Sequence, residues 1–312
     1  MFAETEAGTS PRYRQWALGV ADDATVVSLI DRLPPRKRQV NLVFASARYL
    51  GAPIGHYSAF RDWMISNWPA VESVALTHAT QTNEPARCAM LLPLLAALPG
   101  PLALLEVGAS AGLCLFPDRY SYRYNDREQL DPPDGPSDVL LETRASGPVP
   151  YPTSVPNVVW RAGIDLNPLD VADPDTMAWL DALIWPEHDD RRSRLRSAAR
   201  IARHDPPRIV AGNLLDELPV VAASAPPDAT LVIFHTAVLA YLSANERSQF
   251  VHMASTLPGH WISNEGRTVT PGVAERLGTR QSSTDDFVVA LDGTPVAFSQ
   301  PHGRKLQWLG VR

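Results

Sequence analysis

Cysteine is nearly missing from this 312-residue chain, which holds only Cys88 and Cys114. Neither has metal-ligand spacing, a disulfide framework is excluded, and a reducing compartment fits. Lysine occurs only at Lys37 and Lys305, so arginine carries the basic charge, a bias that reads as a GC-rich genome. Basic excess is lacking too: the net charge is −6, which argues against a general nucleic-acid binder. The arginine-rich stretch 191–196 reads as a solvated helix face. No apolar run approaches the roughly 20 residues of a bilayer span. The acidic, polar opening of Met1–Ser10 is unlike a signal peptide, so a cytoplasmic location with no membrane partner is expected. The eight histidines form no His-x-x-x-His pair, so no metal site is expected.

What is present is a core. Apolar residues make up 45% of the chain, enough for one large domain or a main domain with a cap. Residues 11–100 read as helical: apolar positions in Val40–Leu50 recur every three or four residues, as a single helix face requires. Pro99-Gly100-Pro101 ends this part, and the pattern then alternates between strands and helices. Strands are expected at 102–107, 158–165, 208–213, 229–235 and 261–263, and helices at 173–183 and 191–203. Ser243 is expected to cap a helix, with Glu246 at the capping-box position. A closing antiparallel hairpin turns at Asp292-Gly293. The stretch 117–156 is expected to be an irregular insertion with a short ribbon near Tyr120–Tyr124. The expected class is α/β, a doubly wound sheet with a terminal antiparallel hairpin (101–312) and a helical N-terminal cap (1–100).

The segment Leu102–Gly112 says most about chemistry: an apolar strand breaks into Gly108-Ala109-Ser110-Ala111-Gly112. Two readings compete. In one, Gly108 and Gly112 let the backbone approach a nucleotide-like cofactor beyond the strand ends. Asp165, closing the second expected strand, would then accept from ribose hydroxyls, and Asn213 would read an adenine edge. In the other, Ser110 is a nucleophile on a strand-to-helix elbow, served by Asp285, Asp286 or Asp292 and then His302. A third possibility is a fold that binds a ligand without chemistry. Against the hydrolase, the preceding hundred residues look helical and hold no His-Gly-Gly run.

Glu106, Gly108 and Gly112 match the Glu-x-Gly-x-x-x-Gly motif of the class I S-adenosylmethionine-dependent methyltransferases, and residues 101–312 resemble that family in layout. The resemblance implies a Rossmann-like sheet, S-adenosylmethionine as cofactor and a small-molecule acceptor. By it, Glu106 helps anchor the methionine end, Gly108, Ser110 and Gly112 shape the loop, Asp165 holds the ribose and Asn213 lies at adenine. Two departures stand out. Ser110 replaces the usual middle glycine, and Asp165 lies further from the loop than the usual roughly 20 residues. Asp118 is therefore a rival for the ribose acid.

A closer likeness spans nearly the whole chain. It rests on Gln81-Thr82-Asn83-Glu84-Pro85-x-Arg87, Leu105–Leu113, Asp118-Arg119-Tyr120, Arg161–Asp170, the Trp179–Glu187 segment and Trp261-Ile262-Ser263-x-Glu265. These resemble an uncharacterised bacterial family common in actinobacteria, domain of unknown function 2332, which implies no substrate.

The remaining candidates are His235, Glu84 and Arg87. His235 ends an apolar strand and is the candidate base for an acceptor hydroxyl or amine. Glu84 and Arg87, with Asn83, either close over the site or form a helix cap and an i,i+3 pair. Glu265 either orients a substrate or solvates a loop. Trp179 and Trp185 read as packing anchors.

Overall fold

The computed structural model describes residues 10–280, 282 and 286–310. It divides into two compact units: Met1–Thr82 with Val171–Leu195, and Asn83–Asp170 with Arg196–Arg312.

The first unit is helical, with helices at Pro11–Ala21, Ala24–Ile30, Val40–Tyr49, Tyr57–Ser66, Trp68–Thr77 and Pro174–Leu183. Their starts are written locally. Ser10 accepts from the Tyr13 amide, Asp23 from Thr25 and Val26, and Asp173 from Asp175 and Thr176. The core is aromatic: Trp16 stacks on Phe60 with ring centroids 3.9 Å apart, and Tyr13 and Phe44 meet them. Trp179 is buried in the same cluster, and Trp185 packs against it as a partly buried neighbour. Each such ring buries about 150–250 Å², so this unit has ample apolar driving force.

Among the described residues the second unit holds ten strands in one sheet. They are β1 (Leu102–Val107), β2 (Ser121–Tyr124), β3 (Leu140–Ser146), β4 (Val158–Asp165) and β5 (Arg208–Ala211). Then come β6 (Thr230–Thr236), β7 (His260–Gly266), β8 (Phe287–Leu291), β9 (Thr294–Ser299) and β10 (Lys305–Trp308). The spatial order is β2-β3-β10-β9-β8-β7-β6-β1-β4-β5. Strands β5, β4, β1, β6 and β7 run parallel, whereas β8 and β9 pair antiparallel. The chain moves outward from β1 to β4 and β5, then returns to β6 on the other side of β1. That reversal lies beside β1, the position at which open α/β sheets bind ligands beyond the carboxyl ends of their strands. This is a mixed α/β protein with a large mixed sheet and helices.

The hairpin turns at Asp292-Gly293, both at positive φ (50° and 75°), the conformation a two-residue turn demands. The capping box of Ser243 and Glu246 is present at the head of Ala244–Thr256. Residues 117–156 are more regular than expected: β2 and β3 lie there and pair in parallel. Their length accounts for the long interval between Ser110 and Asp165. Helix Leu214–Ala222, with Pro219 in its interior, is an element the sequence pattern does not announce. No helix among the described residues is long and apolar enough to cross a membrane.

Candidate functional site at the carboxyl ends of the parallel strands

All strand residues of β1 are buried, with Ala103, Leu105 and Val107 facing the helices at 214–222 and 244–256. Period-two alternation therefore turns Glu106 to the other face. At the strand's end Gly108 takes φ +72°, and a Cβ there would stand 2.3 Å from Val238 Cγ2, so no side chain fits. Ser110 comes next but one, at φ +50°, a left-handed position that costs a non-glycine residue energy.

The loop's amides are fully engaged. Gly108 and Ala109 donate to Ile164 O (2.8 and 3.1 Å), and Gly112 donates to Ala109 O (2.7 Å). Ser110 donates to Asp165 Oδ2 at 2.8 Å, and Ala111 donates to Asn83 Oδ1 at 3.0 Å. Asn83 Nδ2 also donates to Ser110 Oγ at 2.9 Å, so one amide side chain brackets the loop. After Gly112 the chain makes a three-residue 3₁₀ turn, Leu113–Leu115, not an α-helix. The loop therefore offers neither free amides nor a helix N-terminus to an anion.

Asp165 and Asp118, the two rival acids, part company. Asp118 forms a two-pronged pair with Arg161 of β4 (2.9 and 3.1 Å). Asp165 sits at the end of β4, directly beside the loop, half-buried, its other oxygen accepting from Asn167 N–H at 2.8 Å. The next residue, Leu166, is 81% exposed. Asn213, beyond β5, caps its helix by accepting from the Leu215 amide.

Across the sheet, His235 and Glu265 lie on the same face as Val107. His235 is 0% exposed, packed against the rings of Phe250 and Trp261. Its Nδ1 lies 2.7 Å from Glu265 Oε1, which also accepts from the Val238 and Leu239 amides (2.7 and 3.0 Å). Glu265 thus does more than solvate a loop: it holds the turn after β6, where Ala237 takes φ +59°.

The opposite face carries Glu106, Thr236 and Asn264, with the 3₁₀ turn Pro85–Arg87 (here called the arginine turn) supplying Arg87. Glu84, not Asn83, caps that turn by accepting from Ala86 N–H. The i,i+3 pair does not form. Arg87 instead donates through Nε to Pro301 O (3.0 Å) and through Nη1 to Thr236 O and Oγ1 (3.0 and 3.1 Å). Burial drives the Glu106 carboxyl well above its ordinary range, with the charges at Cys114 and Asp165 pushing the same way and Arg87 opposing. Glu106 Oε2 and Asn264 Nδ2 are buried without a hydrogen-bond partner. Asn264 and Ser299, joined at 2.7 Å, escaped the sequence reading; only the polar interruptions of two apolar strands mark them.

Several groups that a serine elbow would use are engaged by other residues. Ser110 Oγ has Asn83 as its partner, and the Ala111 amide, the oxyanion donor of such an elbow, is taken by Asn83 as well. Of the candidate acids, Asp285 lies outside the described residues, Asp286 accepts from Ser282, and Asp292 binds His260 and the Trp261 amide in the hairpin. Elsewhere in the unit a broad groove of about 880 Å³ includes Arg119, Asp134, Arg200, His204 and Asp205 and shares no residue with this site. No group of three or more potential metal ligands occurs among the described residues.

Residues 1–308 match the family model described as "Uncharacterized protein conserved in bacteria (DUF2332)". The chain belongs to that family. No curated protein and no solved structure matches it.

Proposed function

We propose that the chain is an S-adenosylmethionine-dependent methyltransferase with a Rossmann-like sheet, acting on a small-molecule acceptor. The observation that carries this reading is the closed set of loop amides between Gly108 and Gly112. A glycine-rich loop at the strand reversal fits a nucleoside cofactor, but one with no amide to spare does not fit a pyrophosphate. A nucleoside cofactor without phosphate is the match. It would be read by side chains: Asp165 toward ribose hydroxyls, the exposed Leu166 against the base, and Asn213 at the base edge. Gly108, Ser110 and Gly112 set how near the backbone comes, and Glu106 lies toward the methionine end.

When bound, S-adenosylmethionine supplies an electrophilic methyl group on a sulfonium. The chain's residues then have to align donor and acceptor and exclude water. His235, fully buried and paired with Glu265, acts in this reading as a positioning group for the turn after β6 rather than as a base on the acceptor. The same loop geometry that favours a nucleoside disfavours serine hydrolysis, because Asn83 occupies both groups an elbow needs free.

Calorimetric titration with S-adenosylhomocysteine tests the reading. Micromolar binding to the wild type, weakened at least about tenfold (1.4 kcal/mol) in Asp165→Ala and partly kept in Asp165→Asn, is expected. Circular dichroism confirms that each variant is folded. No heat at millimolar ligand with folded wild-type protein overturns the proposal.

A further inference from the structure

Arg87 is 6% exposed, yet everything it binds is neutral: the carbonyls of Pro301 and Thr236 and the Thr236 hydroxyl. Among the described residues no carboxylate lies within 4 Å of its guanidinium. A buried cation without a counter-ion is costly, and proteins keep one where a ligand supplies the charge. Two acids stand near in the fold, and neither serves. Glu84 turns its Oε1 to the Ala86 amide, and Glu106, with Oε2 unpartnered, is held toward its neutral form by burial.

The guanidinium is also held rigidly. Nε and Nη1 are fixed, and Nη2 has no acceptor among the described residues. The arginine turn beneath it is backed by Gly303, where a Cβ would come within 2.2 Å of Ala86 O. Thr236, which Arg87 grips, comes directly after His235, the register partner of Val107, and so lies level with Gly108 beyond the carboxyl end of β1. A guanidinium fixed at Nε and Nη1 keeps the N–H groups of Nη2 for an anion, which suits one oxygen of a carboxylate.

The geometry points to Arg87 as the anchor for the carboxylate at the amino-acid end of the bound cofactor. This rests on the cofactor reading and gives it polarity: base and ribose toward Leu166 and Asp165, amino-acid end toward Arg87 and Thr236.

The test is calorimetry with two probes, S-adenosylhomocysteine and 5′-methylthioadenosine, which shares the nucleoside thioether but lacks the amino-acid end. Wild type, Arg87→Met and Arg87→Lys are compared, each checked for folding by circular dichroism. The expected result is at least about a tenfold loss of S-adenosylhomocysteine affinity in Arg87→Met, unchanged 5′-methylthioadenosine affinity, and an intermediate loss in Arg87→Lys. Unchanged S-adenosylhomocysteine binding, or an equal loss for both probes, overturns the anchor and leaves the cofactor reading standing. Failure of both probes to bind folded wild type overturns the cofactor reading and the anchor with it. Should Arg87→Met not fold, Arg87→Lys decides by the same contrast between probes.

Discussion

The two faces of the sheet beside the β1 reversal treat buried charge in opposite ways. On one, Glu265 Oε1 collects three donors, from His235 and the amides of Val238 and Leu239. On the other, Arg87 is buried among neutral acceptors, and the nearby Glu106 leaves Oε2 without a partner. The first arrangement gathers its donors on one carboxylate oxygen and does a structural task, although Glu265 Oε2, His235 Nε2, Trp261 Nε1 and Ser263 Oγ are also buried there without a partner. The second keeps a buried cation among neutral acceptors, and a buried cation without a counter-ion marks a place where an anion can bind. A buried charge lacking its opposite is thus a better guide to a site than unpartnered polar atoms, which both faces hold.

The largest effect should come from breaking the Glu265 cluster. Glu265→Ala removes the acceptor of three donors at once, two of them amides of the turn after β6. A loss of about 3–5 kcal/mol of stability is expected in urea unfolding, with a smaller loss for Glu265→Gln, which keeps one acceptor oxygen. A loss below about 1 kcal/mol in Glu265→Ala would show that the contrast between the faces is misdrawn.

Legibility in the sequence followed the same division between local and long-range causes. Strand β4 was readable to its ends, 158–165, because its apolar run closes on an acid, and the Ser243–Glu246 capping box because both partners sit within one turn. The Asp292-Gly293 hairpin was legible for the same reason. Strand β3 was not: Leu140–Ser146 alternates between buried and exposed positions, but Thr143 fills one of the buried places, so the sequence shows little apolar alternation, and the strand is held by parallel partners at 121–124 and 305–307. Of the site, the loop and Asp165 were visible as motif and strand end. That Asn83 would bracket Ser110, across 27 residues, was not, since nothing local distinguishes a capping asparagine from one reaching into a neighbouring loop.

A milder cut sharpens the Arg87 face. Thr236→Val deletes the hydroxyl that accepts from Arg87 but leaves the Thr236 carbonyl, which accepts from the same Nη1. A stability loss of about 1 kcal/mol is expected by thermal or urea unfolding, the ordinary net worth of one hydrogen bond. A loss as large as that of Glu265→Ala would mean that Arg87 is a structural strut like Glu265, and the two faces would be alike after all.

The smallest effect is one of sign. Glu106 has its carboxyl pushed above the ordinary value of 4.5 by burial, so the folded protein holds a proton that the unfolded chain releases. Such a group contributes stability that is present in full below about pH 4.5 and is lost as pH rises toward the folded value. Glu106→Gln, close in shape and neutral at every pH, lacks that loss. Unfolding midpoints of the two proteins should therefore run together near pH 4 and diverge upward, with the variant the more stable at pH 8. Taking the difference between the two proteins cancels the other titrating groups. If the wild type is instead the more stable at high pH, then Glu106 is held as a carboxylate by Arg87, and the buried charge on that face is already balanced.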